Sequence, residues 1–446
     1  TYGYVASNGD ITISAKTVIN KRPNTGDGDF IPYRLDESGE LAIDANGNPI
    51  KYTSKNGGIR GKTVNINSSF IDNRQSLIVA SDDLRILSDG EINNTKGRIL
   101  SSGNTVIKDA VAFDDLEVQS TTPVTDTNNS SKTLSIENSF GSISANKSLI
   151  IDAKSLTGDG IVINNGISID VMQDTSFTQV KKNAEGKWVY VVDGVICSLD
   201  CTQVPDSDVS VRKITYAGDL VKKNANGEYI RVDNTGTPVL EDGYVIVEDS
   251  GQVINALEEI IEGNITIKLI DNFNQQQSGY TLANGNLDLR TKGNIYNDGH
   301  IQARQALNLQ AIHIENDYFG EISAGATQLA ANTITNRGLV DGSFTLLQAN
   351  EINNIGTGRI YGDQVSILAG GLNNKAETLG ATKWSAVIAA RDRLDIGASV
   401  ITNQDGSLLL SMGDMAVGNN LDSNGHATGK ANAFLNNSAT VDVQGK

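Results

Sequence analysis

The chain is poor in the residues that mark several common kinds of site. Its 446 residues include 6 prolines, 2 cysteines and 3 histidines, and aromatic residues make up 5%. It has no apolar run of about 18 residues, so we expect no segment to span a membrane as a helix. The three histidines lie far from the cysteines, which excludes a four-ligand zinc site. We therefore expect no metal and no cofactor.

Positive charge is also in short supply. Lysine and arginine total 36 against 53 acidic residues, giving a formal net charge of −17 and a pI of about 4.6. Such a surface repels phosphate backbones and anionic lipid. We expect no nucleic-acid partner and no membrane insertion, and we interpret the charge as a means of keeping a long exposed protein soluble.

What the chain does contain is a repeated phrase, an aliphatic residue followed by any residue and then asparagine. In the last third its asparagines are 18 to 20 residues apart: Asn297, Asn316, Asn336, Asn354 and Asn374. Apolar pairs with period 2, such as Leu287 and Leu289, lie between them. A repeat of about 20 residues with short strands and glycine turns is typical of a solenoid. The predicted fold is all-β, a right-handed parallel β-helix with β-hairpin insertions and one short helix.

The position of the asparagines has a physical explanation in this fold. Coils of a β-helix stack about 4.8 Å apart with side chains in register. Asparagines at one corner can then form a ladder of amide hydrogen bonds, and they tolerate the left-handed backbone conformation at the turn.

The repeat divides the chain into three regions. Residues 1–171 follow it loosely, with the phrase ending at Asn73, Asn94, Asn138 and Asn165, and with an excursion of β-hairpins at residues 21–58. Residues 172–280 are an irregular insert. Residues 281–446 form regular coils, which we expect to resume near Gly285 and to be interrupted by loops at 376–386 and 418–433.

The insert contains an internal duplication. Residues 180–191 and 221–232 are identical at seven of twelve positions, 41 residues apart. Each copy reads as a strand, an Asn-Ala-x-Gly turn and an aromatic-bearing strand, so we predict two hairpins. Residues 255–263 resemble a short helix, with Asn255 as N-cap, Glu258 as capping-box partner and Gly263 as the stop.

The candidate binding residues lie in this insert, because aromatic and arginine side chains are the commonest interface anchors. They are Trp188, Tyr190, Tyr216, Tyr229, Arg231 and Tyr244, accompanied by Lys181, Lys182, Lys222 and Lys223. Two interpretations stay open: these aromatics form the small core of the insert, or some of them contact a receptor.

Catalytic chemistry is poorly represented. The acids of the regular coils, such as Asp288, Glu315, Glu351 and Asp395, occur about one per coil, which is typical of a solvated face. No cysteine or serine has an evident histidine partner. Cys197 and Cys201 form a candidate disulfide if the protein is extracellular, with free thiols as the alternative. We expect no enzymatic activity.

The coils from Gly285 onward resemble the haemagglutinin repeats of filamentous haemagglutinin and CdiA, the exoproteins of bacterial two-partner secretion. The residues that carry the resemblance are 354–367, 386–397, 415–418 and 425–431. The resemblance is looser over residues 1–171 and only general over 172–280. The chain starts within patterned sequence and reads as part of a longer protein, without the secretion domain or toxin of a complete member.

The resemblance implies a secreted, monomeric segment on the surface of a Gram-negative bacterium, exported by an outer-membrane transporter. It implies a receptor-binding region that recognises a protein or glycan on a neighbouring bacterium during contact-dependent toxin delivery. An adhesin stalk for host cells or biofilm is the alternative, and a carbohydrate-active β-helix is a third hypothesis.

Overall fold

The computed structural model describes residues 4–20, 58–110, 132–172 and 263–446 continuously. Between residues 179 and 261 it describes the strands given below, together with residues 232, 233 and 237. Within these ranges the chain forms strands and turns and contains no helix. The hairpin excursion that we predicted at residues 21–58 lies outside the described residues, except for its last position.

The coils form one 33-stranded sheet, wound so that each strand pairs in parallel with its equivalents in the preceding and following coils. A parallel β-helix is therefore the fold of this unit. The pairings define three faces, which we name A, B and C in chain order. Face A contains Tyr4–Ala6, Gly58–Gly61, Leu77–Ala80, Arg98–Ser101, Ser142–Ala145, Ile161–Asn164, Tyr280–Ala283, His300–Ala303, Leu408–Ser411 and Thr440–Val443.

Faces B and C continue each coil. Face B contains Ile11–Ser14, Val64–Asn67, Leu84–Ser88, Thr105–Asp109, Ser148–Asp152, Asn264–Leu269, Leu287–Thr291, Ala306–Gln310 and Asp414–Gly418. Face C contains Thr17–Ile19, Phe70–Asp72, Glu91–Asn93, Ser135–Glu137, Ser155–Thr157, Phe273–Gln275, Ile295–Asn297, His313–Asn316, Thr333–Asn336 and Ala433–Asn437. Glu321–Ala330 spans faces A and B, and three longer strands span all three faces: Leu339–Ile355, Arg359–Lys375 and Val387–Gln404.

Period-2 apolar residues build the core of this unit. Alternate positions of a strand lie on opposite sides of the sheet, and the inward positions carry isoleucine, leucine and valine. One column on face A is at most 1% exposed along its length: Ile301, Ile322, Val340, Ile360, Ile388 and Leu409. In-register stacking of similar aliphatic side chains therefore fills most of the interior, and Phe273 adds an aromatic ring to it.

The predicted asparagine ladder is confirmed at the corner that follows face C. Asn316 donates to Asn336 Oδ1 at 2.8 Å, and Asn336 donates to Asn354 Oδ1 at 2.8 Å. The second N–H of Asn336 donates to the backbone oxygen of Arg359 at 3.2 Å. The same pattern joins two sets, the first Asn20, Asn73, Asn94 and Asn138, and the second Asn297, Asn316, Asn336, Asn354, Asn374, Asn403 and Asn436.

The left-handed backbone conformation occurs just beyond the ladder asparagines rather than at them. Positive φ falls two residues later, at Gln75, Lys96, Phe140, Asp405 and Ser438. The asparagine backbone stays with the strand because its side chain must point into the ladder. The turn is made beyond it.

Residues 166–263 form a separate compact unit, which we call the insert. The regular coils resume at Asn264, earlier than the sequence indicates, because Asn264–Leu269 pairs in parallel with strands of the coils on both sides. The insert contains a four-stranded sheet of Ile167–Met172, Leu220–Lys223, Tyr229–Arg231 and Ala256–Ile261. A second four-stranded sheet contains Gln179–Lys182, Trp188–Val192, Val195–Cys197 and Val211–Arg212. The strands Leu240–Glu241 and Tyr244–Val245 form a two-stranded sheet.

The helix predicted over residues 255–263 is wrong. Ala256–Ile261 is a strand that pairs antiparallel with all six residues of Ile167–Met172. The spacing of Leu257, Ile260 and Ile261 suits either a helix or a strand. The partner strand Ile167–Met172, far away in sequence, decides in favour of the sheet.

Asn165 is also not a member of the ladder. Ile161–Asn164 lies on face A, so the phrase Ile163–Asn164–Asn165 ends at the corner between faces A and B, where the insert begins.

Both loops predicted in the regular coils contain two-stranded hairpins: Glu377–Leu379 with Thr382–Trp384, and Asn420–Leu421 with Ala427–Thr428.

Candidate binding surfaces of the insert

The duplicated segments form two hairpins with the same register. In the first hairpin Lys182 lies opposite Trp188. In the second, Lys223 lies opposite Tyr229, and both residues are 41 positions after their counterparts. The two hairpins belong to different sheets. The duplication in sequence is therefore a duplication of a structural unit that places a lysine across from an aromatic residue.

The register of the first sheet gives the side on which each residue lies. Residues directly opposite in an antiparallel pair share a side, as do alternate residues along one strand. Lys182, Trp188, Tyr190 and Arg212 therefore occupy positions on one side, which also holds Val180, Val192, Val195 and Cys197. The positions on the other side are mostly apolar: Val189, Val191, Ile196 and Val211, together with Lys181.

In the sheet of the second hairpin, Lys223, Tyr229 and Arg231 occupy one side with Val221, and the adjoining strands continue this side with Asp170, Glu258, Met172, Ala256 and Ile260. The other side holds mainly aliphatic positions together with Lys222 and Glu259: Ile167, Ile169, Val171, Leu220, Ile230, Leu257 and Ile261. Val232 belongs to this aliphatic side and is 3% exposed, as expected for the side that faces a core.

These placements bear on the two interpretations of the insert aromatics. Both sides of each sheet carry aliphatic positions, so the register assigns a core to neither side alone. Trp188, Tyr190, Tyr229 and Arg231 each lie on a side that also holds a lysine. Surfaces that combine aromatic and cationic residues are typical of binding sites. We name the two sides that carry Lys182 and Lys223 the cationic–aromatic surfaces.

The other candidate residues are less informative. Tyr244 lies opposite Glu241 in the smallest sheet, with a two-residue connection between the strands. Tyr216 and Cys201 lie outside the described residues, whereas Cys197 ends the strand Val195–Cys197. The disulfide between the two cysteines stays a prediction.

The coils carry one polar cluster that the sequence pattern did not reveal. Glu321 accepts hydrogen bonds from Gln302 Nε2 at 2.7 Å and from Ser323 Oγ at 3.1 Å, and its Oε2 lies 3.2 Å from His300 Nδ1. The ring of His300 stacks on Tyr280 at 4.6 Å. These residues are about 20 positions apart, so the coil period could have found them. Gln302 and Ser323 also line a shallow depression of about 330 Å³.

The four coil acids named from the sequence each have a local partner. Asp288 pairs with Arg290 at 2.9 Å, and Asp395 with Arg393 at 2.6 Å. Glu315 pairs with Arg337 at 3.0 Å. Arg337 also holds Glu377 of the first hairpin in the regular coils, and this hydrogen bond is the main reason that its pKa is raised above the usual value.

Acid–base hydrolysis needs two carboxylates that flank a shared substrate position. Asp288, Glu315 and Asp395 do not form such a pair, because each is bound to an arginine. Glu351 accepts a hydrogen bond from Asn353 at 3.1 Å. In the described part of the chain no cluster of three potential metal ligands occurs. No helix there is long and apolar enough to cross a membrane.

The insert surfaces and the Glu321 cluster are thus two candidate sites in the part of the chain that the structure describes. Comparison of the chain with protein-family models, with curated proteins and with solved structures gave no match.

Proposed function

We propose that this chain is a non-enzymatic segment of a secreted surface filament of the CdiA kind. Its insert recognises an outer-membrane molecule on a neighbouring bacterium and so supports contact-dependent toxin delivery. An outer-membrane transporter exports the filament. The coils act as a scaffold, and the insert supplies recognition.

The observation that carries this proposal is how little of the coil the insert replaces. Asn165 and Asn264 are in register with Asn284 and Asn286 of the next coil. In that coil a single residue, Gly285, joins the two asparagines. The amide of Asn164 donates to the backbone oxygen of Asn264 at 2.8 Å, so the two ends of the insert meet.

The insert of 98 residues, 166–263, therefore occupies the place of one turn residue. Because one glycine closes the same turn in the next coil, an insertion of this length is not needed to close the coil, which indicates that it has a separate task. The aromatic and cationic residues at equivalent positions of its two hairpins make binding the best-supported task.

The test is a deletion that the coil geometry specifies. Replacing residues 166–263 by one glycine recreates the Asn-Gly-Asn turn of residues 284–286. We expect the full-length exoprotein with this replacement to be secreted and folded but to lose attachment to target bacteria in a cell-binding assay.

The matched control removes a different decoration. Residues 376–385, which include the first hairpin of the regular coils, are replaced by Gly-Thr, the dipeptide at 356–357 in the preceding coil. This control should attach normally. Unchanged attachment of the insert deletion would refute the proposal. Attachment to host cells in preference to bacteria would favour the adhesin alternative.

A further inference from the structure

The outer side of face A is largely apolar along eight successive coils. Its outward positions are the first and third residues of the strands from Leu77–Ala80 to the start of Leu339–Ile355, because the residues between them are buried. Of these sixteen positions, eight hold an aliphatic residue or tyrosine and three hold a charged residue. Face B differs on the same coils, where Lys108, Asp152 and Lys268 follow one another in register on the outer side. Face A is therefore better suited than face B to contact another apolar surface.

The most exposed apolar residues of this surface lie at its centre. Ile161 is 40% exposed and Tyr280 is 43% exposed, and the two are in register on consecutive coils. Phe140 is 67% exposed and Phe319 is 60% exposed; they lie in the turns that lead into the face A strands starting at Ser142 and Glu321. Exposed apolar residues grouped in this way are typical of a protein interface.

We infer that face A binds a second copy of this chain, and that the two copies pack antiparallel about a two-fold axis between Ile161 and Tyr280. The inference goes beyond the proposed function and departs from the monomer that the resemblance implies. In a two-fold dimer, positions at equal distances from the axis lie opposite each other. Ile161 of each copy then lies opposite Tyr280 of the other, and Ser142 lies opposite His300. Apolar residues therefore meet at the axis, and polar residues meet beside it.

Charge complementarity supports this axis independently, because the exposed apolar residues alone defined its position. Arg98 lies two coils before Ile161, and Glu321 lies two coils after Tyr280. The axis therefore places Arg98 of each copy opposite Glu321 of the other. Two ion pairs, one on each side of the apolar centre, follow from the symmetry.

Neighbouring positions of the axis fit less well. The axis between Ile161 and Tyr280 also places Leu77 opposite Leu339, one coil beyond the ion pairs. An axis one coil later would place Arg98 opposite Arg359, which would repel each other. An axis one coil earlier would leave both Arg98 and Glu321 without an opposite charge.

The surface is large enough for a specific dimer. Eight coils stacked about 4.8 Å apart, each with about five residues of strand about 16 Å long, cover roughly 600 Å² per copy. The total of about 1,200 Å² lies at the lower end of specific protein interfaces. Because each copy carries one insert, a dimer carries two inserts and attaches to a surface with avidity.

The experiment measures self-association of the full chain by sedimentation velocity over a range of concentrations. Physiological salt is used, because it screens the repulsion between two copies that each carry a net charge of −17. The wild type should form a dimer. Ile161→Glu places two carboxylates beside the axis and should weaken the dimer at least about tenfold. Ile312→Glu is the matched control, because Ile312 is 42% exposed between faces B and C, and it should leave the dimer unchanged.

Charge reversal tests the proposed register. Arg98→Glu and Glu321→Arg each place two like-charged pairs across the axis, so each should weaken the dimer at least about tenfold. The combined variant restores opposite charges and should return the affinity to within about threefold of the wild type. Arg98 and Glu321 are five coils apart in one copy, about 24 Å. Recovery in the combined variant therefore reports contacts between copies.

Crosslinking tests the geometry directly. Ser142 and His300 are three coils apart in one copy, about 14 Å, which is too far for a disulfide. In the dimer they lie opposite each other, so Ser142→Cys/His300→Cys should give a covalent dimer on oxidation. The two single variants and the wild type, which keeps Cys197 and Cys201, are the controls and should not.

Three results would overturn the inference. A wild type that stays monomeric at every soluble concentration would show that a second copy does not bind face A. A dimer that Ile161→Glu leaves intact would use another surface. A combined charge variant as weak as the single variants would reject the register. None of these results bears on attachment to target cells, so the proposed function stands or falls separately.

Discussion

The asparagine ladder offers the most direct test of what holds the coils together. In Asn336→Ala the buried amide is lost from the middle of the second ladder, where Asn336 is 0% exposed. The wild-type amide accepts one hydrogen bond, from Asn316, and donates two, to Asn354 and to the backbone oxygen of Arg359. All three are lost in the variant.

The magnitude follows from these contacts. A typical hydrogen bond contributes about 1 kcal/mol net, and a buried group left without a partner costs about 1–3 kcal/mol. Because the N–H of Asn316 and the Oδ1 of Asn354 are both left unpaired in the interior, we expect a total loss of about 3–5 kcal/mol. Coils contact only their neighbours, so the loss should be concentrated on the coils that flank Asn336.

The assay is urea unfolding followed by circular dichroism, with amide exchange measured in Thr333–Asn336 and Leu339–Ile355. Asn350→Ala is the matched control, because the side chain of Asn350 is exposed and lies outside the ladder. The control should change the free energy of unfolding by less than about 0.5 kcal/mol. An equally small effect for Asn336→Ala would refute the view that the ladder stabilises the coils.

Three further predictions concern the coil corners and hairpins. Gly338→Ala would place a Cβ 2.1 Å from a backbone oxygen and should lower the free energy of unfolding by about 1–3 kcal/mol. The Cβ of Gly371→Ala would meet nothing within 4 Å, so this control should change stability by less than about 1 kcal/mol. Equal melting temperatures for the two variants would contradict this prediction. Arg337→Met frees the first hairpin of the regular coils at a cost of at most about 1 kcal/mol, so limited proteolysis within 376–386 should accelerate, and an unchanged cleavage rate would count against it. Backbone N–H groups of its own hairpin lower the pKa of Asp422 below the usual 3.8; its ionised form therefore stabilises the hairpin above pH 3.8, and this stability is lost as pH falls through the lower folded pKa. The protection of these hairpin amides, relative to their intrinsic exchange rate at each pH, should therefore fall in acid, and an Asp422→Asn variant that kept the same pH dependence would contradict this.

The sequence predicted the coils well because their main interactions repeat along the chain. A side chain at one position meets its equivalent about 20 residues later, so the period of Ile and Asn contains the information on packing. The prediction missed Asn403, although Ile401, Thr402 and Asn403 match the phrase. The hairpin that starts at Glu377 lengthens the spacing from Asn374 to 29 residues, which conceals the repeat.

The prediction was least successful where a strand finds its partner far away in sequence. Residues 256–261 gave an ambiguous local pattern, and their pairing with Ile167–Met172, about 90 residues earlier in the chain, made them a strand. The bounds of the insert were misplaced for the same reason. Residues 264–269 are recognised as coil only through their parallel pairing with Ser148–Asp152, on the other side of the insert.

The candidate site was likewise predicted in part from the sequence, and the rest of it required the structure. The sequence alone identified the duplicated segments and their aromatic, lysine and arginine residues, because identity at a fixed offset requires no structure. The structure was needed to place Lys182, Trp188, Tyr190 and Arg212 on one side of a sheet, since strand register determines which positions lie together. Register depends on backbone hydrogen bonds between distant strands, and composition does not encode it. The sequence by itself therefore determined the repeat and its interruption, and the fold determined which residues of the interruption form a surface.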